Sequence, residues 1–176
     1  GCFAKEAPYS MHAVEQALEK AVKLLAPGGV IIIREGLAEE KGDREKKTVM
    51  ELSSAENRSA LDRFCREFQG WQNFEKWPPE IRDISTDRLN VEVPRWLERE
   101  YLATWTWGEA SWEREILERF CYGSEGEWKE AFREAGLRVR EAQFSMEEYP
   151  AFFINISQTW SSETPMTGIF VLEAGN

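Results

Sequence analysis

The chain has 176 residues, 42% hydrophobic and 31% charged, a composition that excludes a disordered chain and is typical of one folded domain. Its formal net charge of −10 argues against non-specific nucleic-acid binding, because an acidic surface repels phosphate backbones. No apolar run is long enough to span a membrane, and three widely spaced cysteines exclude a cysteine metal site or a disulfide framework, which favours reduced thiols in a cytoplasmic protein.

The first predicted element is an amphipathic helix that leads through a turn into a buried strand. Ser10 is a candidate N-cap, and apolar residues then recur at spacings of three and four as far as Leu25. The Pro-Gly-Gly turn at 27–29 stops the helix, and the β-branched run Val30–Ile33 predicts a strand covered on both faces. A helix, a turn and a strand in this order form a unit of an open α/β sheet.

The middle of the chain is predicted to be a polar loop followed by mostly helical structure. Charged residues dominate 37–54, which predicts a solvated loop, and apolar periodicity predicts a helix over 55–69. Residues 91–93 alternate like a short strand. Helices are predicted over 96–104 and over 111–120.

The last part of the chain predicts a helix and two strands. Ser124 is a candidate N-cap for a helix over 127–135, and 137–144 alternates as a strand. A long connection at 145–165 precedes a final strand at 167–172. Two strands that follow each other late in a chain are suited to antiparallel pairing at a sheet edge.

The order of these elements resembles the C-terminal half of class I (Rossmann-like) S-adenosylmethionine-dependent methyltransferases. In that family a Leu-x-Pro-Gly-Gly-hydrophobic run opens the fifth strand, as 25–35 does here, and a helix ending in Ala-Gly introduces the sixth, as at 134–137. Residues 167–172 match the seventh strand, which in the family returns antiparallel between the fifth and sixth. The resemblance covers 9–36 and 127–174 and implies an α/β fold with strands five to seven of that sheet, the last two an antiparallel pair.

The resemblance also implies one partial methyltransferase-like domain over 1–176 with a helical, aromatic-rich insertion at 37–126, where such enzymes place substrate-recognition elements. It implies S-adenosylmethionine as the cofactor of the complete enzyme. The family's Gly-rich loop after the first strand has no counterpart in this sequence, so we expect the cofactor-binding half to lie outside this chain. The chain is then a fragment, one subunit of a split enzyme, or a fold used without the cofactor.

A half sheet would expose the edge and one face of Val30–Ile33. We therefore expect the missing N-terminal half, or a partner subunit, to cover this edge. The alternative function is a non-catalytic, methyltransferase-like interaction module that binds a partner through the aromatic insertion. Half of a nucleotide-dependent oxidoreductase is a weaker hypothesis, because the sequence has no dinucleotide-binding fingerprint.

Four candidate substrate-binding residues fall at the carboxyl edge of the implied sheet, where ligands bind in open α/β folds. The resemblance places Tyr9 and His12 at the exit of the fourth strand, and Arg34 and Glu35 follow the fifth. His12, the only histidine, is a substrate-side proton acceptor or an exposed first-turn helix residue. Arg34 and Glu35 face a ligand or form an ordinary ion pair at the strand end.

A second group of candidates lies in the insertion. Trp105 and Trp107 could stack on a planar substrate such as a base, and Arg114 and Glu115 could hydrogen-bond its edge. Aromatic clusters are also common in cores, so the alternative is core packing followed by a helix N-terminus.

Overall fold

Two small β-sheets organise the residues that the computed structural model describes, which are 10–69, 79–105, 108–145 and 167–175. The elements in chain order are α1 (His12–Leu24), β1 (Val30–Leu37), β2 (Lys47–Glu51), α2 (Ala55–Glu67), β3 (Arg82–Asp83), β4 (Asn90–Pro94), α3 (Arg95–Trp105), a 3-10 turn (Glu109–Ser111), α4 (Trp112–Glu115), β5 (Cys121–Gly123), α5 (Glu125–Glu134), β6 (Leu137–Ser145) and β7 (Thr167–Ala174). The fold is mixed α/β, as predicted. None of the described helices is both long and apolar enough to cross a membrane.

The first sheet has the strand order β5-β1-β7-β6. β7 lies antiparallel between β1 and β6, with Phe170 opposite both Ile33 and Ala142. The predicted antiparallel pairing of the last two strands is therefore confirmed. The short strand β5, which runs parallel to β1 beside Gly36 and Leu37, was not predicted.

Helices α1 and α5 cover one face of the first sheet. Leu18 of α1 and Phe132 of α5 are buried in one apolar cluster with Phe170, and the rings of Phe132 and Phe170 meet edge to face at 5.1 Å between centroids. α5 begins at a capping box in which Ser124 and Glu127 satisfy each other's backbone N–H groups. The helices predicted from apolar periodicity thus supply the core of this sheet.

The opposite face of the first sheet is open over β1 in the described part of the chain. Val30 is 41% and Ile32 67% exposed, whereas Leu37 at the end of the strand is buried. The prediction that Val30–Ile33 is covered on both faces is therefore wrong for the described residues. Side chains alternate across a strand, so the helices cover only the face that carries Ile31 and Ile33.

The insertion contains a second, three-stranded antiparallel sheet with the order β2-β4-β3. α2 and α3 pack on it around Met50, Val91 and Phe64, all fully buried. The insertion at 37–126, predicted to be helical, therefore also contains a sheet, whose central strand β4 includes the short strand predicted at 91–93. The solvated loop predicted over 37–54 is wrong, because β2 pairs with a strand some forty residues later and no local pattern in the charged segment signals that pairing.

Two of the three helices predicted in the insertion are confirmed, and the third is shorter than predicted. The helices over 55–69 and 96–104 are confirmed as α2 and α3. The helix predicted over 111–120 is a single turn, because the chain leaves it at Ile116 to form β5. Most of the connection predicted at 145–165 lies outside the described residues.

Candidate functional site

The carboxyl ends of β1 and β5 lie side by side at one edge of the first sheet. The Ala38 amide, just beyond β1, donates a hydrogen bond to the Gly123 carbonyl at 2.9 Å. The start of α1 reaches the same place, since a Cβ added to Gly123 would lie 2.9 Å from Sδ of Met11. Ligands of open α/β sheets bind at such an edge, so its side chains decide whether the described residues form a ligand site.

Buried ion pairs fill the space beyond β1. Arg99 of α3 donates from Nε to Oε1 of Glu39 at 2.9 Å and from Nη1 to the Leu37 carbonyl at 2.8 Å, and both charged side chains are buried. Arg44, also buried, donates from Nε to the Glu39 carbonyl at 2.9 Å and forms an ion pair with Glu127. Since each charge is compensated within the protein, these groups fix the loop after β1.

The start of α5 closes the same edge from the other side. The Ser124 hydroxyl donates to Oε2 of Glu40 at 3.0 Å, and the Ser124 amide donates to Oε2 of Glu127 at 2.8 Å. The N-terminus of α5 is therefore occupied by the protein's own carboxylates rather than left open for an anion.

Two further buried carboxyl groups lie on α3. Glu100 accepts hydrogen bonds from the amides of Phe120 at 3.0 Å and Cys121 at 2.8 Å, and burial raises its pKa to about 7. Burial raises the pKa of Glu98 to about 8, and its Oε1 has no hydrogen-bond partner among the described residues. The first carboxyl ties α3 to the start of β5, whereas the second has no such bond.

No protein-family model, curated protein or solved structure matches this chain. The described residues also contain no cluster of three or more His, Cys, Asp or Glu side chains able to hold a metal ion. The assignment of function therefore rests on the sequence and the structure of this chain.

The structure describes three of the four carboxyl-edge candidates, and it places Arg34 and Glu35 on opposite faces of β1. Tyr9 lies outside the described residues. His12 is an exposed residue of the first turn of α1, and its ring lies 2.9 Å from Nε2 of Gln16. Strand alternation puts Arg34 on the open face of β1 and Glu35 on the helix-covered face, where burial raises the Glu35 pKa.

Trp105, one of the two aromatic candidates in the insertion, belongs to a packed cluster. Trp105 stacks on Tyr101 with ring centroids 6.4 Å apart and meets Trp112 edge to face at 5.4 Å. Trp112 is buried and donates from Nε1 to Oε2 of Glu67 at 2.8 Å. Trp107 lies outside the described residues. The contacts of Trp105 are those of a core residue, in line with the packing alternative.

The charged candidates of the insertion lie beside this cluster. Arg114 is exposed and forms an ion pair with the buried Glu115. It lines a surface cleft of about 430 Å³ whose other walls come from α2, the 3-10 turn and α4: Arg63, Glu109, Ala110, Ser111 and Glu113. Sequence analysis missed Arg63, because only tertiary contacts bring it to this cleft. Its guanidinium lies 4.7 Å from the Trp112 ring centroid, and it donates a hydrogen bond to Glu109.

Replacing Trp105 by alanine is expected to lower the free energy of unfolding by about 2–3 kcal/mol, because half-buried aromatic contacts with Tyr101 and Trp112 are lost. Trp105→Phe keeps part of that packing and should lose less than half as much. Urea denaturation followed by fluorescence measures both variants. If Trp105→Ala leaves the free energy of unfolding unchanged, Trp105 is not a packing residue and is again a candidate for substrate binding.

Proposed function

We propose that this chain is the C-terminal, substrate-side portion of a class I S-adenosylmethionine-dependent methyltransferase. The observation that carries the proposal is the position of β7, antiparallel between β1 and β6. The family resemblance implies this order for strands five, seven and six, and short-range sequence signals do not dictate it. The helix–Pro-Gly-Gly–strand unit that precedes it supports the same assignment.

The described residues do not themselves fit S-adenosylmethionine. The sequence has no Gly-x-Gly-x-x-Gly loop, and buried ion pairs such as Arg99–Glu39 fill the carboxyl edge of β1. The proposal therefore assigns the cofactor to a half that lies outside these 176 residues. The open face of β1 supports this arrangement, because Val30 and Ile32 are apolar and exposed, as expected of a surface that another element covers.

The same proposal assigns acceptor binding to the insertion. The cleft beside α4 carries two arginines, two glutamates and the Ser111 hydroxyl, which suits a polar or charged acceptor better than an apolar one. Arg63 is held on the Trp112 ring and by Glu67 and Glu109, so one wall of the cleft is preorganised before any ligand binds.

The coding sequence upstream of this chain in its own gene, or a gene beside it, tests the proposal. We expect it to encode a strand, a glycine-rich loop and a helix, and the combined protein to transfer a methyl group from S-adenosylmethionine. A combined protein that contains such a half and binds no S-adenosylmethionine would contradict the proposal.

Ile32→Asp is expected to weaken association with the cofactor-binding half by roughly tenfold or more, because it puts a charge at the centre of the open face. Since Ile32 is 67% exposed, the fold of the chain itself should be retained, as measured by circular dichroism. Gln143→Asp is the matched control: Gln143 is also exposed on this face, but on the distant strand β6. Equal affinities for the two variants would show that the face over β1 is not the interface.

A non-catalytic interaction module is the second candidate, and one observation favours it. The carboxyl edge of β1 and β5 is closed by the chain's own ion pairs, which is the structure expected of a fold that no longer admits a ligand there. If the combined protein binds its partner but neither binds nor consumes S-adenosylmethionine, this second function replaces the first.

A further inference from the structure

The two sheets have separate apolar cores, and charged residues of α3 join them. One core holds Met50, Phe64 and Tyr101 of the insertion, and the other holds Leu18, Phe132 and Phe170 of the first sheet; the two clusters share no member. α3 carries three consecutive buried charged residues, which we call the junction: Glu98, Arg99 and Glu100.

Two residues of the junction bind the first sheet directly. Arg99 bonds to Glu39 and to the Leu37 carbonyl at the end of β1, and Glu100 accepts the amides of Phe120 and Cys121 at the start of β5. These bonds join α3 to the end of β1, to the loop that follows it and to the start of β5. The contact between the two cores is therefore polar as well as buried, so its strength depends on the charges present.

A negative charge on Glu98 is unfavourable in its buried position. It is buried, its Oε1 has no hydrogen-bond partner among the described residues, and its charged surroundings are Arg99, Glu39 and Arg95. Arg99 already bonds to the Glu39 carboxylate. An ionised Glu98 adds a second carboxylate beside that pair, and it competes for Arg99 or leaves the interior for water.

We propose that protonation of Glu98 controls the junction. The two cores stay docked while Glu98 is protonated, and their contact loosens when Glu98 ionises. In the docked state burial raises the Glu98 pKa to about 8, whereas a solvated glutamate has its ordinary value near 4.5. Undocking therefore releases a proton. The junction has its full strength below about pH 4.5 and loses it as the pH rises through about 8.

The other charged groups at the junction respond differently. Glu100 also has a raised pKa, about 7, but it faces two amide donors and Arg119, which favour its ionised form against burial. Cys121 is fully buried beside Glu100, and burial raises the pKa of its thiol well above the ordinary value. Arg44 is a permanent cation held by the Glu39 carbonyl and by Glu127. Glu98 is thus the junction carboxyl with an oxygen, Oε1, that accepts no hydrogen bond among the described residues.

Hydrogen exchange measured by mass spectrometry at pH 6 and pH 8.5, corrected for intrinsic rates, tests the proposal on the full chain. Between these values the protection of the Phe120 and Cys121 amides should fall roughly tenfold or more, because both amides donate to Glu100 of the junction. Amides inside α2 and β7 belong to the two cores and should keep their protection.

Glu98→Gln keeps the shape of the side chain without its titration and should remove most of the pH response at the junction amides. The remainder is assigned to Glu100, whose raised pKa of about 7 also lies between the two pH values. Glu19→Gln, a change at an exposed glutamate of α1, is the matched control and should keep the wild-type response. The proposal is overturned if Glu98→Gln responds like the wild type. It is also overturned if the junction shows no pH response, or if core and junction amides lose protection together, since that pattern reports global unfolding.

Discussion

Replacing Arg99 by methionine is expected to lower the free energy of unfolding by about 3–5 kcal/mol, because it leaves the Glu39 carboxylate buried without its cation. The variant also loses the bond to the Leu37 carbonyl, which holds α3 against β1. Urea denaturation at pH 7, followed by tryptophan fluorescence and by circular dichroism, measures the change. Agreement between the two signals establishes that the unfolding is a single transition.

Two further variants test whether the effect of Arg99→Met comes from its buried ion pair with Glu39. Arg82→Met breaks an exposed ion pair with Glu92 and should cost less than about 1 kcal/mol. Adding Glu39→Gln to Arg99→Met removes the stranded charge and should recover part of the loss. If Arg99→Met costs no more than Arg82→Met, the buried ion pair does not hold the junction together.

Replacing Phe170 by alanine is expected to cost about 3–5 kcal/mol, because its fully buried ring fills the space between β7 and α5. Phe144→Ala is the matched control, since that ring contacts Phe170 at 5.8 Å between centroids but is 38% exposed. It should cost less than half as much in the same denaturation experiment. Equal losses would show that Phe170 is not at the centre of the first sheet.

The elements with strong local signals were predictable. The three-and-four spacing of α1, the Pro-Gly-Gly turn and the β-branched run of β1 all lie within 26 residues of one another, so neighbouring side chains determine them. The same holds for the Ser124 cap of α5 and for the glycine with positive φ at 136 that ends the helix and begins β6.

The elements that depend on distant partners were not predictable. β2 is a strand because β4 pairs with it, and β5 is a strand because it lies beside the end of β1. Arg44 appeared to be part of a solvated charge run, yet it is buried against Glu39 and Glu127. A charged residue becomes interior only when its partner is present, and those partners come from other elements of the fold.

In the candidate site, too, some residues were indicated by the local sequence and others only by tertiary contacts. Trp105 and Arg114 were picked out by composition; the structure places Arg114 in the wall of a cleft that involves α4 and Trp105 against Trp112 of the same helix. Arg63 was missed, because its role depends on stacking against Trp112. The run Glu98-Arg99-Glu100 was also missed, although three consecutive charges between the apolar pairs Trp96-Leu97 and Tyr101-Leu102 were a visible signal of burial or interaction.

Isothermal titration with S-adenosylmethionine tests the proposed function most directly. The 176-residue chain alone should give no binding heat, and the chain combined with its cofactor-binding half should bind one molecule per complex. One-to-one binding by the isolated chain would contradict our assignment of the cofactor to the other half. An absence of binding by the combined protein would contradict the methyltransferase assignment itself.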